Sequence, residues 1–325
     1  MNSKKKSLFI GFIVVSLIST FITFIFNSDA PTVSDLKIPQ STIDFFKKID
    51  DLGHTKFDWV DSLDIGDFDN DNDYDHNFKK LEDENFIVYY RPNNEEKVRA
   101  QKTLKYANQA VPELSDFFGK YYYAKDAKNR KLAIYLAVSE DDFAEISQEV
   151  GGSTVDWAAG LTFNSFSSDG ETICNGIVLN SMVQDGEGTD LKKVVFHEMA
   201  HYNHFQCMDL IHKDVFMNWE VEGLASYFAK DWNKIIPTDV NLNDYSLLRD
   251  PENYIDSYWM GYHAFNVFEE KYDKEGFHTM LTESFSKSLK VSIPDVSGTD
   301  FDLFQNTWRS HCNRLKGRLS AIRKF

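Results

Sequence analysis

The residues best suited to chemistry lie in one short segment, His197-Glu198-Met199-Ala200-His201, inside an apolar stretch with helical periodicity. Two histidines four positions apart lie on one helical face with Cβ atoms about 6 Å apart, so both can bind one tetrahedral Zn²⁺. Glu198 is placed beside such an ion without binding it, where it can accept a proton from an activated water molecule. The segment predicts a hydrolytic zinc centre. The alternative is a chance pattern on a helix surface, which the apolar surroundings disfavour because buried, unpartnered polar groups are costly.

A catalytic zinc site needs a third protein ligand, and three downstream side chains are candidates: Cys207, Glu220 and Glu222. Cys207 comes six residues after His201, but His204 replaces the glycine that turns the chain at this point in metzincins. The two glutamates follow on the next predicted helix, where they point about 200° apart. We favour Glu222 as the ligand and expect Glu220 to face solvent.

The region from residue 85 to 325 resembles a known family, the gluzincins or thermolysin-like zinc peptidases, and within them the peptidase MA-like group. One anchor of the resemblance is the H-E-x-x-H segment. The other is Trp219 to Ala225, which looks like the W-x-x-E-G-x-A element of that family and begins 18 residues after His201. A strand-rich half followed by a helical half predicts an α+β fold with a cleft where the two meet. The resemblance implies the same arrangement, with an N-terminal mixed sheet, a following helical part and a zinc cleft between them.

The resemblance also implies roles for individual residues. It makes His197, His201 and Glu222 the zinc ligands and Glu198 the general base. Ser226 stands where thermolysin-like enzymes often carry an acid that orients a zinc-binding histidine. The residue that orients the histidine is therefore left open by the sequence.

A substrate-binding strand is a further implication of the resemblance. In gluzincins an edge strand before the zinc helix binds the peptide backbone, and Thr172 to Asn180 is similar in position and character. Ile177, Val178 and Leu179 would then contact the substrate by strand addition. The alternative is an ordinary, half-buried strand of the sheet.

A donor for the transition-state oxyanion is sought on a later predicted helix, which carries Tyr254, Tyr258, Tyr262 and His263. We favour Tyr258 for this role. The alternative is that tyrosines at this spacing form a packing stripe along one helical face.

A second cation site is suggested by four acidic residues with the spacing of an EF-hand calcium loop: Asp71, Asp73, Asp75 and Glu82. His76 replaces the glycine of the sharp turn, and a strand rather than a helix is predicted to follow. The alternative is a solvated acidic linker, because residues 44 to 84 carry 14 acidic and 5 basic side chains, a net charge of −9.

The amino terminus predicts a membrane anchor. Lys4, Lys5 and Lys6 precede an uncharged apolar run from Ser7 to Phe26, which as a helix spans about 30 Å, the thickness of a bilayer core. The positive-inside rule keeps the lysines in the cytoplasm and places the rest of the chain outside. Cleavage near Ala30 and secretion is the alternative.

Composition limits the remaining choices. The net charge of −16 over 325 residues disfavours nucleic acid as a partner, because such a field repels phosphates. The three cysteines allow at most one disulfide, and no pairing can be assigned to Cys174, Cys207 and Cys312. We expect an anchor in residues 1–30, a tether and acidic segment in 31–84, and a catalytic domain in 85–325, sheet-rich to about 187 and helical from about 188.

The sequence thus predicts a membrane-anchored zinc peptidase that hydrolyses peptides or proteins outside the cell or in the periplasm. Two alternatives belong to other classes of protein. One is a zinc-containing binding or scaffold protein of the envelope without hydrolytic activity, and the other is a zinc hydrolase that acts on a non-peptide substrate.

Overall fold

The computed structural model describes residues 77–122, 129–152, 158–166, 172–184, 190–208, 218–231, 242, 254–272 and 274–322. The predicted membrane anchor and the first three residues of the predicted calcium loop, Asp71, Asp73 and Asp75, lie outside this part. Among the described helices, none is both long enough and apolar enough to cross a membrane.

Five strands of the described chain form one mixed sheet: β1 (Lys79–Glu82), β2 (Phe86–Tyr90), β3 (Leu132–Leu136), β4 (Gly160–Phe166) and β5 (Thr172–Leu179). Their order across the sheet is β1-β2-β3-β5-β4. The three inner strands are parallel, and each outer strand is antiparallel to its neighbour.

Eight helices accompany the sheet in the described residues: α1 (Asn94–Phe118), α2 (Glu140–Gly151), α3 (Leu191–Cys207), α4 (Asn218–Ala229), α5 (Tyr254–Lys271), α6 (Lys274–Glu283), α7 (Leu289–Ser297) and α8 (Phe301–Ile322). Helices α1, α2 and α3 begin at side chains that cap them, because Asn93, Ser139 and Asp190 each accept a hydrogen bond from a backbone N–H of the first turn. The predicted α+β class, a mixed sheet with helices followed by a helical part, is confirmed.

The sheet separates two hydrophobic clusters. The apolar side chains of β2 alternate, so Phe86, Val88 and Tyr90 are buried against the face that α1 and α3 cover. Residues of opposite parity, such as Tyr135 and Val178, belong to the second cluster, where α2 packs. The helical part continues from the first face, because α4 packs on α3 and α5 packs on α4.

Two boundaries differ from the prediction. The sheet begins at Lys79, inside the segment predicted to be a tether, because β1 pairs with β2 through the register Lys79↔Tyr90. The helical periodicity of the sequence predicts one helix from Lys274 to Ser288, whereas α6 ends at Glu283 and a separate helix, α7, starts at Leu289. Apolar periodicity continues across this break, so it does not predict the end of α6.

Glu82, the last ligand of the predicted calcium loop, lies in strand β1. It pairs with Ile87 of β2, and its carboxylate oxygens lie 3.5 Å from the Lys80 Nζ and 3.6 Å from the Lys131 Nζ. Two lysines thus neutralise part of the negative charge that a calcium ion would require of this carboxylate.

Helices α4 and α5 cross in backbone contact at two glycines. A Cβ atom on Gly223 would lie 2.2 Å from the Cα of Gly261, and one on Gly261 would lie 2.1 Å from the carbonyl oxygen of Trp219. No side chain separates the backbones of α4 and α5 at these two glycines. Since α4 also packs on α3, residues of both helices next to the crossing come close to α3. Glu222 and Tyr258 are two of them.

Replacing Gly261 with Ala is expected to lower the free energy of unfolding by about 1–3 kcal/mol, because the added methyl group must push two helices apart. An alanine in an open helix has the opposite effect, a gain of about 0.5–1 kcal/mol over glycine. The sign of the change in a urea titration therefore tests the contact. A stabilised variant would show that α4 and α5 do not touch here.

Candidate metal centre

Helix α3 brings both histidines of the H-E-x-x-H segment into the interior. The helix is buried over most of its length, and His197, Glu198 and His201 are 5–6% exposed. Helix α4 packs alongside and contributes Glu222 from its second turn. His197, His201 and Glu222 thus lie on two neighbouring helices, and their role as metal ligands stays a prediction.

The ligand atoms of the three residues converge on one point. The Nε2 atom of His201 lies 3.1 Å from the Nε2 atom of His197 and 3.2 Å from Oε2 of Glu222, and His197 Nε2 lies 3.3 Å from the same oxygen. This group could hold a metal ion, and it is the only cluster of at least three such ligands found in the described residues.

The geometry of this cluster fits zinc. A tetrahedral ion with ligand distances of about 2.1 Å keeps its ligand atoms about 3.4 Å from one another. The three observed separations are close to that value. The donor set of two imidazoles and one carboxylate also matches the preference of zinc and leaves a fourth position for water or substrate.

The two histidines differ at their second ring nitrogen. His197 Nδ1 lies 3.1 Å from Oδ2 of Asp231, which follows the end of α4. His201 Nδ1 is buried and has no hydrogen-bond partner among the described residues. A carboxylate on Nδ1 keeps a proton there and leaves the Nε2 lone pair for a metal.

Burial and charge shift the pKa values of the site residues in different directions. Burial lowers the pKa of His197, but Asp231, Glu222 and Glu198 outweigh it and place this pKa well above its usual value. Burial raises the pKa of Glu198, although His201 and His197 oppose the shift. For Glu222 the two histidines outweigh burial and hold its pKa well below the usual range. One carboxylate therefore stays ionised while the other can accept a proton, which is the pattern of a ligand next to an acid–base group.

The carboxylate of Glu198 is fixed by strand β4. The hydroxyl of Thr162 donates a hydrogen bond to Glu198 Oε2 at 2.7 Å, and its oxygen is 3.1 Å from the carbonyl oxygen of the same residue. Gly160 lets the strand approach, because a Cβ atom there would lie 2.8 Å from Cγ and Oε1 of Glu198. Strand and helix therefore hold this side chain from two sides.

Replacing Gly160 with Ala is expected to displace the Glu198 carboxylate, since the new methyl group would occupy its place. If Glu198 is a general base, we expect kcat/KM to fall by about 100-fold, as small misplacements of catalytic groups do. The zinc affinity should stay unchanged, because no ligand moves. Parallel measurements of peptide cleavage and zinc binding check this, and a lost zinc site would mean that β4 supports the ligands instead.

The predicted substrate strand is corrected by the sheet topology. β5 is an inner strand that pairs with β3 on one side and β4 on the other, and Ile177, Val178 and Leu179 are at most 1% exposed. These three residues therefore cannot add a substrate strand. β4 is the edge strand next to α3, and in the described part of the chain it pairs only with β5.

Asn164 belongs to the same face of β4 as Thr162 and Gly160, because side chains of a strand alternate. Both polar atoms of its carboxamide are buried and lack a hydrogen-bond partner among the described residues. A bulge in the ladder lies beside it, between Phe163 and Asn164. A buried amide without partners requires an explanation, and a ligand that supplies the hydrogen bonds is one.

Tyr258 reaches the site. Its ring stacks on the imidazole of His197 with a centroid distance of 5.6 Å and an interplanar angle of 22°. Tyr262 and His263 instead have ring contacts with Tyr227 and His311. The oxyanion role of Tyr258 remains a prediction, and its position beside a ligand histidine is compatible with it.

The two other candidates for the third ligand lie elsewhere. Glu220 was expected to face solvent, but it is 1% exposed and its Oε1 accepts a hydrogen bond of 2.7 Å from the backbone N–H of Leu289. Glu220 thus joins α4 to the start of α7. The position of Glu220 on α4 alone does not predict this contact. The thiol of Cys207 donates to the Tyr121 carbonyl oxygen at 3.1 Å, and burial raises its pKa. Cys174, Cys207 and Cys312 form no disulfide bond with one another.

Three residues of the site were missed by sequence reasoning: Thr162, Asn164 and Asp231. The alternating pattern from Gly160 to Asn164 was a usable signal for the first two, since it places them on one face of a strand. Asp231 carried no such signal, because its relation to His197 depends on how the chain turns after α4.

Comparison with known proteins assigns no family to the chain. No protein-family model matches it, and no curated protein matches it either. Any function must therefore rest on the chemistry of the site itself.

Proposed function

We propose that the chain is a zinc-dependent peptidase of the gluzincin type, in which Glu198 assists the attack of water on a peptide bond. The observation that carries the proposal is the convergence of His197, His201 and Glu222 within 3.1–3.3 Å, beside a buried carboxylate whose pKa is raised.

Glu198 and Thr162 have different roles in the proposed hydrolysis. When bound, zinc would lower the pKa of a water molecule and polarise the scissile carbonyl. Glu198 accepts the proton of the attacking water and then delivers it to the departing amine, for which a raised pKa is suited. The Thr162 hydroxyl keeps the carboxylate in place through its hydrogen bond of 2.7 Å.

Strand β4 offers a place for the substrate backbone. An extended peptide that pairs with its outer edge would lie next to Glu198, because Gly160 and Thr162 contact that side chain. A peptide is therefore favoured over a substrate that lacks a regular backbone.

The place of action follows from the sequence. The apolar run from Ser7 to Phe26, with lysines before it, anchors the chain in a membrane with the catalytic part outside, unless cleavage near Ala30 releases it. Partners are then peptides or proteins of the extracellular or periplasmic space. Calcium as an additional cofactor depends on Asp71, Asp73 and Asp75.

The proposal is tested with a diverse peptide library digested by the full-length protein and analysed by mass spectrometry. One sample is untreated, one is treated with a zinc chelator, and one is treated and then resupplied with zinc. We expect cleavage in the first and third samples only. The positions of the cuts would also show whether the enzyme trims amino termini or cleaves internally.

Two results would contradict the proposal. Stoichiometric zinc without cleavage of any peptide would favour a non-hydrolytic binding protein or a hydrolase of another substrate. Cleavage that persists after complete removal of metal would assign the activity to a different mechanism.

A further inference from the structure

We infer that Asp231 is the residue that orients His197 for metal binding, and that the turn ending helix α4 exists to deliver it. The inference rests on the proposed zinc site and adds a positioning residue to it. Neither the helix position of Ser226 nor any residue of the H-E-x-x-H segment provides this carboxylate.

The turn has the two hydrogen bonds of a Schellman motif. The N–H of Lys230 donates to the Tyr227 carbonyl oxygen at 3.3 Å, and the N–H of Asp231 donates to the Ser226 carbonyl oxygen at 3.2 Å. Lys230 is left-handed with φ of 54°, a conformation that usually requires glycine. The chain therefore reverses sharply where α4 ends, and Asp231 faces back toward α3.

This turn places the Asp231 carboxylate at the Nδ1 atom of His197. Asp231 Oδ2 lies 3.1 Å from His197 Nδ1, and 18% of the Asp231 side chain is exposed, against 8% for His197. His197 Nε2 belongs to the ligand cluster. The hydrogen bond at Nδ1 fixes the ring orientation and prevents rotation that would remove Nε2 from the cluster.

Ser226 serves this arrangement through its backbone. It lies one turn after Glu222 on the same side of α4, it is fully buried, and its hydroxyl has no hydrogen-bond partner within the described ranges. Its carbonyl oxygen accepts a hydrogen bond from the backbone N–H of Asp231. The acid expected on the helix is thus replaced by an acid in the following turn.

The test compares zinc affinities of full-length wild type and variants, measured by competition with a chromophoric chelator. We expect Asp231→Ala to weaken zinc binding by about 10–100-fold, as loss of such partners does, with a smaller loss for Asp231→Asn, which keeps an acceptor. A matched pair tests the turn. Lys230→Gly should leave the affinity unchanged, whereas Lys230→Val should weaken it, because a β-branched residue resists a positive φ.

A second measurement separates orientation from general stability. In zinc-loaded protein labelled with ¹⁵N-histidine, we expect the Nδ1–H proton of His197 to be protected from exchange in wild type and to be lost in Asp231→Ala. Thermal unfolding of the metal-free variants controls for folding. Equal zinc affinity and an unchanged Nδ1–H signal in Asp231→Ala would overturn this inference alone. Absence of zinc binding by wild type would overturn the proposed function together with it.

Discussion

Replacing Glu198 with Gln is expected to lower kcat/KM for peptide cleavage by about 10²–10⁴-fold, the usual contribution of a general acid–base group. Glutamine has the same shape but cannot accept the proton of water. The buried position of Glu198, 5% exposed, and the Thr162 hydrogen bond keep the substitute in place. Zinc binding should remain stoichiometric, because Glu198 is not part of the ligand cluster.

The control for this prediction is Thr162→Val. This variant keeps the Glu198 carboxylate but removes the hydroxyl that donates a hydrogen bond to it. A hydrogen bond to a charged group contributes about 1.5–3 kcal/mol. We expect a smaller loss of activity, on the order of 10-fold, since the carboxylate can still accept a proton. Steady-state kinetics on one peptide from the library measures both variants. Full activity of Glu198→Gln would remove this residue from the mechanism.

Replacing Glu222 with Gln is expected to weaken zinc binding by more than about 100-fold, beyond the usual effect of losing a residue that only orients a ligand. A neutral amide is a poor ligand for zinc, and the change removes the negative charge on which two buried imidazoles converge. Cleavage should fall with zinc content. Metal analysis of the purified variant and competition titration check both quantities.

Glu220→Gln is the matched control on the same helix, two positions away. Glutamine can still accept the hydrogen bond from the N–H of Leu289, so the contact between α4 and α7 is kept. We expect zinc affinity and cleavage to stay close to those of wild type. A loss of zinc in this control equal to that of Glu222→Gln would mean that the integrity of α4, rather than a single ligand, determines metal binding.

Much of the site could be predicted because its signals are local. The spacing of His197, Glu198 and His201 on one helix follows from the helical repeat. Glu222 followed from the next amphipathic segment together with the resemblance. The sequence likewise predicts strand β2 from its apolar, β-prone residues and the start of helix α1 from an asparagine at its amino end.

The predictions that were wrong concern features that depend on contacts between residues far apart in the chain. The segment from Thr172 to Asn180 was predicted to be the edge strand, but β4, which comes earlier in the sequence, is the outer strand and β5 lies inside the sheet. Alternation within a strand shows which face is buried, not which strand is its neighbour. The burial of Glu220 similarly depends on Leu289, 69 residues away.

The sequence by itself determined which side chains of helix α3 could bind a metal ion, because residue type and spacing within a helix are properties of neighbouring residues. Only the tertiary structure decided how the centre is supported. Thr162 reaches Glu198 across 36 residues and Asp231 reaches His197 across 34. Such contacts arise when packed helices and strands bring distant segments together, and their free energy depends on the whole core rather than on any local pattern.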